Sequence, residues 1–164
     1  MAMYTIGHSN TPLARFLELL TQHGIEVLID TRRQPYSRFS PQFNRTSLPT
    51  SLRHVGIIYR YRGETLGGRP QDPSYRLPNG HVDYARLAAA PMYQEGLQQL
   101  RREAATYGVA IMCSEADYRH CHRYWLITRS LMGEGVEVRH ILQSGALGHS
   151  LPEDFAAAEQ LPLL

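Results

Sequence analysis

Five short apolar stretches alternating with helical patterns predict an α/β protein, a three-layer α/β/α sandwich of Rossmann-like type with a mostly parallel sheet of about five strands. Two observations carry this. The second and fourth stretches, Val27-Leu28-Ile29 and Val109-Ala110-Ile111-Met112, have continuous apolar centres, as strands covered on both faces require. Each of the first four stretches is followed by a segment with its own helix start and stop signals, as right-handed crossover connections require. The chain has 164 residues, enough for one sizeable core. The reading places a single domain at 1–150 and a tail at 151–164.

In chain order, Tyr4-Thr5-Ile6 is the first strand, ending in Gly7-His8-Ser9. Thr11 as N-cap and Pro12 at the first helical position open a helix whose Leu13, Phe16, Leu17 and Leu20 keep helical spacing, with Gly24 as its stop. Residues 26–30 form the second strand. A polar loop with Pro35 and Pro41 leads to a helix over 47–55, stopped by Gly56, and then to a third strand at 57–61. Residues 63–82, with Gly67-Gly68, three prolines and Asn79-Gly80, are too long for an ordinary connection and mark a functional loop, a candidate lid. Asp83 caps a short helix, and Pro91 opens a longer one with a stripe of Tyr93, Leu97, Leu100 and Ala104. Gly108 ends it before the fourth strand. A last helix is predicted over 118–132, and 136–141 alternates like a half-exposed edge strand.

Composition narrows the function classes. Hydrophobic residues make up 43% and charged residues 20%, which argues against disorder and fibrous repeats. No apolar run is long enough for a bilayer and the N-terminus lacks a secretory pattern, so the expected address is the cytoplasm, with no membrane partner. Two cysteines, Cys113 and Cys121, cannot frame a small disulfide-stapled fold. Every one of the 17 basic residues is arginine. Seven of them (32, 33, 38, 45, 53, 60 and 62) fall between positions 31 and 62, where there is no acid, interleaved with Tyr36, Phe39, Phe43, Tyr59 and Tyr61. Such a stretch can neutralise phosphates and stack on bases; it can equally be a solvated arginine-rich face.

Ligands of parallel sheets bind beyond the carboxyl ends of the strands, where this sequence places His8-Ser9, Asp30 with Arg32, Glu64, Cys113 with Glu115, and His140. Cys113 and Arg119 have the spacing of a thiol-phosphatase loop, but Glu115 and Asp117 would repel the phosphate and no glycine lets the loop wrap. A zinc site from Cys113, Cys121 and His122 is a weak alternative, because the cysteines stand eight apart rather than in a short knuckle. The adjacent-turn thiol spacing of redox motifs is missing, which argues against a redox pair. No nucleotide fingerprint is present, and no cofactor is expected. Carboxylate chemistry remains: Asp30 and Glu115 could share a crevice as an acid and base pair, or Asp30 could simply pair with Arg32 or Arg123 and order the loops.

Tyr4-Thr5-Ile6-Gly7-His8-Ser9, Ile29-Asp30-Thr31-Arg32 with Pro35, Ser37 and Phe43, Leu66-Gly67-Gly68, Met112-Cys113-Ser114-Glu115 with Cys121-His122-Arg123, and Val138-Arg139-His140-Ile141 together resemble the domain of unknown function 488 family. The resemblance spans about residues 3–145. It implies an α/β fold and a cytoplasmic protein, with Thr31 standing where the family usually has valine, and it brings no activity with it. The expectation from the residues is an enzyme acting on nucleic acid or a nucleotide, by N-glycosidic cleavage or transfer. Asp30, Glu115, Cys113 and His8 are its catalytic candidates, and Ser9, Arg32, Arg33, Arg38, Cys121, His122 and Arg123 its substrate or phosphate contacts. A non-catalytic nucleic-acid or anion-binding module, and a thiol- or metal-dependent enzyme centred on Cys113 and Cys121, are the alternatives. The acidic tail, ending Leu161-Pro162-Leu163-Leu164, is read as a segment that docks on the body or on a second subunit.

Overall fold

The computed structural model describes residues 2–158. Its centre is a six-stranded sheet with the order β3-β2-β4-β1-β5-β6. β1 (Ala2–Gly7), β2 (Val27–Asp30), β3 (Ile58–Tyr61), β4 (Val109–Cys113) and β5 (Glu137–Ile141) run parallel, and β6 (Leu147–His149) runs antiparallel to β5. The sandwich and the first five strands are those the sequence predicts. The sixth strand is not. β5 therefore lies between β1 and β6, and the sheet edges are β3 and β6, which corrects the reading of 136–141 as an edge.

Alternation along the central strands builds two cores. Val27, Ile29, Val109 and Ile111 face Leu97 and Leu100 of α5 (Pro91–Thr106) and Leu131 of α6 (Arg129–Gly133). Leu28, Ala110 and Met112 face Phe16, Leu19 and Leu20 of α1 (Leu13–Gln22) and Leu48 and Leu52 of α2 (Leu48–Arg53). Each fully buried aliphatic side chain contributes about 1.5–3 kcal/mol relative to exposure, so these faces fix the register that sets the strand ends side by side.

The helix boundaries follow the predicted stops, with Gly24 and Gly56 at positive φ of 69° and 78°. Three local expectations change. Thr11 does not cap α1; its hydroxyl donates to Gln143 Oε1 at 2.7 Å instead, tying the helix entrance to the segment after β5. The long loop begins with a helical turn, α3 (Gly63–Leu66), and closes on an Arg76–Val82 bridge before α4 (Tyr84–Ala88), which Asp83 caps as expected.

The predicted helix over 118–132 is broken in three: a 3₁₀ turn (Tyr118–His120), a π-helical segment (Arg123–Thr128) and α6. Asp117 caps the 3₁₀ turn by accepting from the Arg119 N–H, Cys121 is extended, and the Thr128 hydroxyl donates to the Arg123 carbonyl five residues back. The break lets Arg123 enter the core while Cys121 and His122 stay on the crevice. In the tail, α7 (Pro152–Ala158) buries Phe155 against Tyr124; Leu161 to Leu164 lie outside the described residues. No helix among the described residues is long and apolar enough to cross a membrane.

Candidate functional site

The carboxyl ends of β2 and β4, the long loop after β3 and the segment 120–122 enclose a crevice of about 700 Å³. Its floor carries Cys113, Cys121 and His122, and four arginines (32, 33, 69 and 76) reach it. Glu115 is the one carboxylate on its wall. The site is therefore strongly cationic around a pair of thiols.

Cys113 is 2% exposed at the last position of β4. Cys121 returns eight residues later, its Sγ 2.7 Å from Cys113 Sγ, and both are free thiols. The fold thus brings together two sulfurs whose spacing argued against a pair. Burial pushes the Cys113 thiol up, but the hydrogen bond from Cys121 and the Arg123 charge outweigh it and hold Cys113 below the ordinary thiol value. Burial and the neighbouring Cys113 sulfur push Cys121 well above it. The two directions make Cys113 the sulfur that ionises first, with Cys121 then the donor between them.

Arg123 is 0% exposed. Its Nη1 donates to Thr5 Oγ1 at 2.7 Å and its Nη2 to the Glu115 and Ala116 carbonyls at 2.9 and 3.2 Å, while Nε has no hydrogen-bond partner. No carboxylate among the described residues pairs with it. A buried guanidinium needs a counter-charge, and the Cys113 sulfur is the acidic group placed to supply it. Gly7 makes room for this arrangement: a Cβ there would fall on the Glu115 carbonyl, with Arg123 Nη2 close behind.

Asp30 stands apart from this centre. It is fully buried and does not line the crevice. Its Oδ1 accepts from the Arg32 backbone N–H at 3.0 Å and Nε at 2.9 Å, and its Oδ2 from Arg32 Nη2 at 2.8 Å and Tyr59 Oη at 2.5 Å. The structure does not join it to Glu115 in a shared crevice; it joins it to Arg32, as the loop-ordering alternative has it. Arg32 also donates to the Phe43 carbonyl at 2.7 Å and, through Nη1, to His8 Nε2 at 3.1 Å. One Nη1 proton of its five N–H donors is left for a ligand.

His8 is a support of the same clamp. A ring nitrogen beside a carbonyl must carry the proton, so Nδ1 donates to the Ser9 carbonyl at 2.7 Å and Nε2 accepts from Arg32. Burial lowers its pKa to about 4, and its ring stacks on Phe43. His122 follows the same rule, its Nε2 donating to the Thr31 carbonyl and hydroxyl at 3.2 and 3.1 Å, with burial lowering its pKa to about 4. That ring packs on Gly68, where a Cβ would overlap it.

Ser9, at φ 45°, bonds by its N–H to the Ser114 carbonyl and does not line the crevice. Arg38 also lies off the crevice, stacked over Phe39. Arg119 pairs with Asp117 on the surface, so the phosphatase-like spacing builds no phosphate cradle. Among the described residues no three His, Cys, Asp or Glu side chains are placed to hold a metal ion. Of the residues in the zinc alternative, His122 engages Thr31 through its Nε2 while Cys113 and Cys121 meet each other. Sequence reasoning missed Arg69, Arg76, His81 and Tyr84, which wall the crevice; the signal available was a loop of unusual length carrying two arginines and a histidine.

Comparison with known proteins adds a family. A model described as domain of unknown function DUF488 matches residues 12–129. The chain belongs to the DUF488 family. The span matched takes in Asp30, Arg32, the Cys113–Arg123 segment and the arginines of the long loop. It leaves out Gly7, His8 and His140, which in this DUF488 protein seat Arg32 and Arg123 from β1 and β5. No curated protein and no solved structure gives a match.

Proposed function

We propose that this protein is an enzyme that uses the Cys113 thiolate as a nucleophile on a phosphate-bearing substrate held in the basic crevice. The buried Arg123 carries the reading, because it stands against Cys113 with no carboxylate to neutralise it. A thiolate is the reactive form of cysteine, and a cationic, enclosed setting is what maintains it at neutral pH. A module that only binds anions has no need of that pairing. Arg33, Arg69 and Arg76 supply phosphate contacts, and Tyr36, 61% exposed at the same crevice, offers a face for a base, which favours a nucleotide or a nucleic-acid end as the substrate. N-glycosidic cleavage draws less support, since both Asp30 oxygens are engaged and Glu115 is left without a carboxylate partner.

Alkylation by iodoacetamide, mapped by mass spectrometry across a pH series, tests both halves. Cys113 is expected to react at pH values below the ordinary thiol pKa of about 8.5, and pyrophosphate or a short oligonucleotide to slow the reaction. An Arg69→Ala, Arg76→Ala double variant is expected to keep the rate and lose the protection. Reaction only above the ordinary thiol range would end the nucleophile assignment, and indifference to every anion would end the substrate assignment.

A further inference from the structure

We propose that Cys113 and Cys121 act as nucleophile and resolver in the two-electron reduction of a small disulfide that carries phosphate or carboxylate groups. The inference rests on Cys113 being the nucleophile, and it assigns the reaction and the substrate class. Three observations carry it. The two sulfurs are 2.7 Å apart as free thiols, so closing them into a bond of about 2.05 Å requires only a small movement. Cys121 sits in an extended link between the 3₁₀ turn and the π-helical segment, and its carbonyl accepts the Tyr124 and Trp125 N–H groups, which fixes the backbone with the two sulfurs facing each other and leaves the closing movement to the side chains. The crevice above the pair is lined by arginines and by a single carboxylate, Glu115, which fits an anion and disfavours a cation.

The step balances without a metal or cofactor. The Cys113 thiolate attacks one sulfur of the substrate disulfide R–S–S–R′; the S–S bond breaks and R′–S⁻ leaves, taking up a proton from water. Cys113 is then neutral in a mixed disulfide, so Cys121 loses the sulfur anion that accepted its hydrogen bond. Arg123, left without that counter-charge, favours the Cys121 thiolate in its place. Cys121 gives up its proton to water, attacks Cys113 Sγ and expels R–S⁻, which takes a proton from water in turn. The protein now holds a Cys113–Cys121 disulfide, the substrate has gained two electrons as two thiols, and an external dithiol returns the pair to the reduced state. Cys113 is 2% exposed at the crevice floor, which restricts the substrate to a slender disulfide at the end of a chain; a disulfide within a folded protein could not reach it.

The experiment mixes the fully reduced protein, without oxygen, with oxidised glutathione (carboxylates), coenzyme A disulfide (phosphates) or cystamine, a cationic disulfide more slender than either, so that a slower reaction with it is not a matter of access. Thiol release is followed in time and the protein by intact mass and peptide mapping. Either anionic disulfide is expected to react roughly tenfold faster than cystamine, as charge steering in a cleft allows, and the faster of the two names the anion. The wild type is expected to lose the mass of two hydrogens and to form the Cys113–Cys121 peptide. Cys121→Ser and Cys121→Ala are expected to stop at one mixed disulfide on Cys113, and Cys113→Ser to form neither product. An adduct on Cys121 in the wild type, equal rates for all three disulfides, or release of both thiols by Cys121→Ser would each overturn the proposal. If Cys113 alkylates readily with iodoacetamide in the same preparation but no disulfide oxidises it, the pair is refuted and the nucleophile assignment stands; if it does not alkylate, the earlier reading is what fails.

Discussion

A single missing methyl group decides how closely β1 can pass the loop that follows β4. At Gly7 a Cβ would occupy the Glu115 carbonyl, which is backbone and cannot swing aside, whereas at Gly133 the space is open. Gly7→Ala is therefore expected to cost about 1–3 kcal/mol, the range of overpacking in a close-packed interior, and to disturb the seat of Arg123. Gly133→Ala is expected to stay within about 0.5 kcal/mol of wild type. Urea unfolding of the two variants checks the contrast, and equal midpoints would show that the loop yields. In the sequence Gly7 reads only as the end of a strand; the need for it comes from a carbonyl more than a hundred residues away. The Asp30–Arg32 clamp was more legible, because residues two apart at a strand end can meet locally, and the loop-ordering reading of Asp30 followed from that.

Elements show the same division between local and distant causes. The strands β1 to β5 were legible because continuous or alternating apolar runs follow from burial on two faces or one. β6 was not, since Leu147-Gly148-His149 is three residues long and exists by pairing with β5. The π-helical segment was also hidden, as nothing in Arg123–Thr128 breaks a helical pattern; side-chain bonds from Thr128 and the cap at Asp117 set it. What that segment exposes on its outer side, Tyr124 and Trp125, is covered by Phe155 of α7, with ring centroids 4.8 and 6.3 Å away. Phe155→Ala is expected to lower stability by roughly 3 kcal/mol, read by thermal unfolding, while the Cys113 alkylation rate at neutral pH stays as in the wild type. A change in that rate would mean that the tail supports the crevice as well as the core.

Across the molecule, three neutral imidazoles hold the strand ends in place. His8 lies against Arg32 and Phe43, and His122 against Thr31 and Gly68. His140 lies between Thr5 and Ser150, with Arg123 and His149 nearby. The Thr5 hydroxyl accepts from Arg123 and is hydrogen-bonded to His140 Nδ1, and His140 Nε2 is hydrogen-bonded to the Ser150 hydroxyl. Burial lowers His140 to about 3 and the other two to about 4, from an ordinary 6.5. A lowered imidazole pKa means that the unfolded chain takes up protons first as pH falls, so stability is complete above 6.5 and is lost progressively below it. With about 1.4 kcal/mol for each pH unit and each ring, the three together withdraw about 8 kcal/mol by pH 4.5, comparable with what holds a domain of this size folded. Urea unfolding at pH 7, 6, 5 and 4.5 is expected to show the decline beginning near 6.5, and His140→Gln to flatten its slope by close to one proton. A profile level down to pH 5 would mean that these rings take up protons in the folded protein, and that the supports of Arg32 and Arg123 are charged rather than neutral.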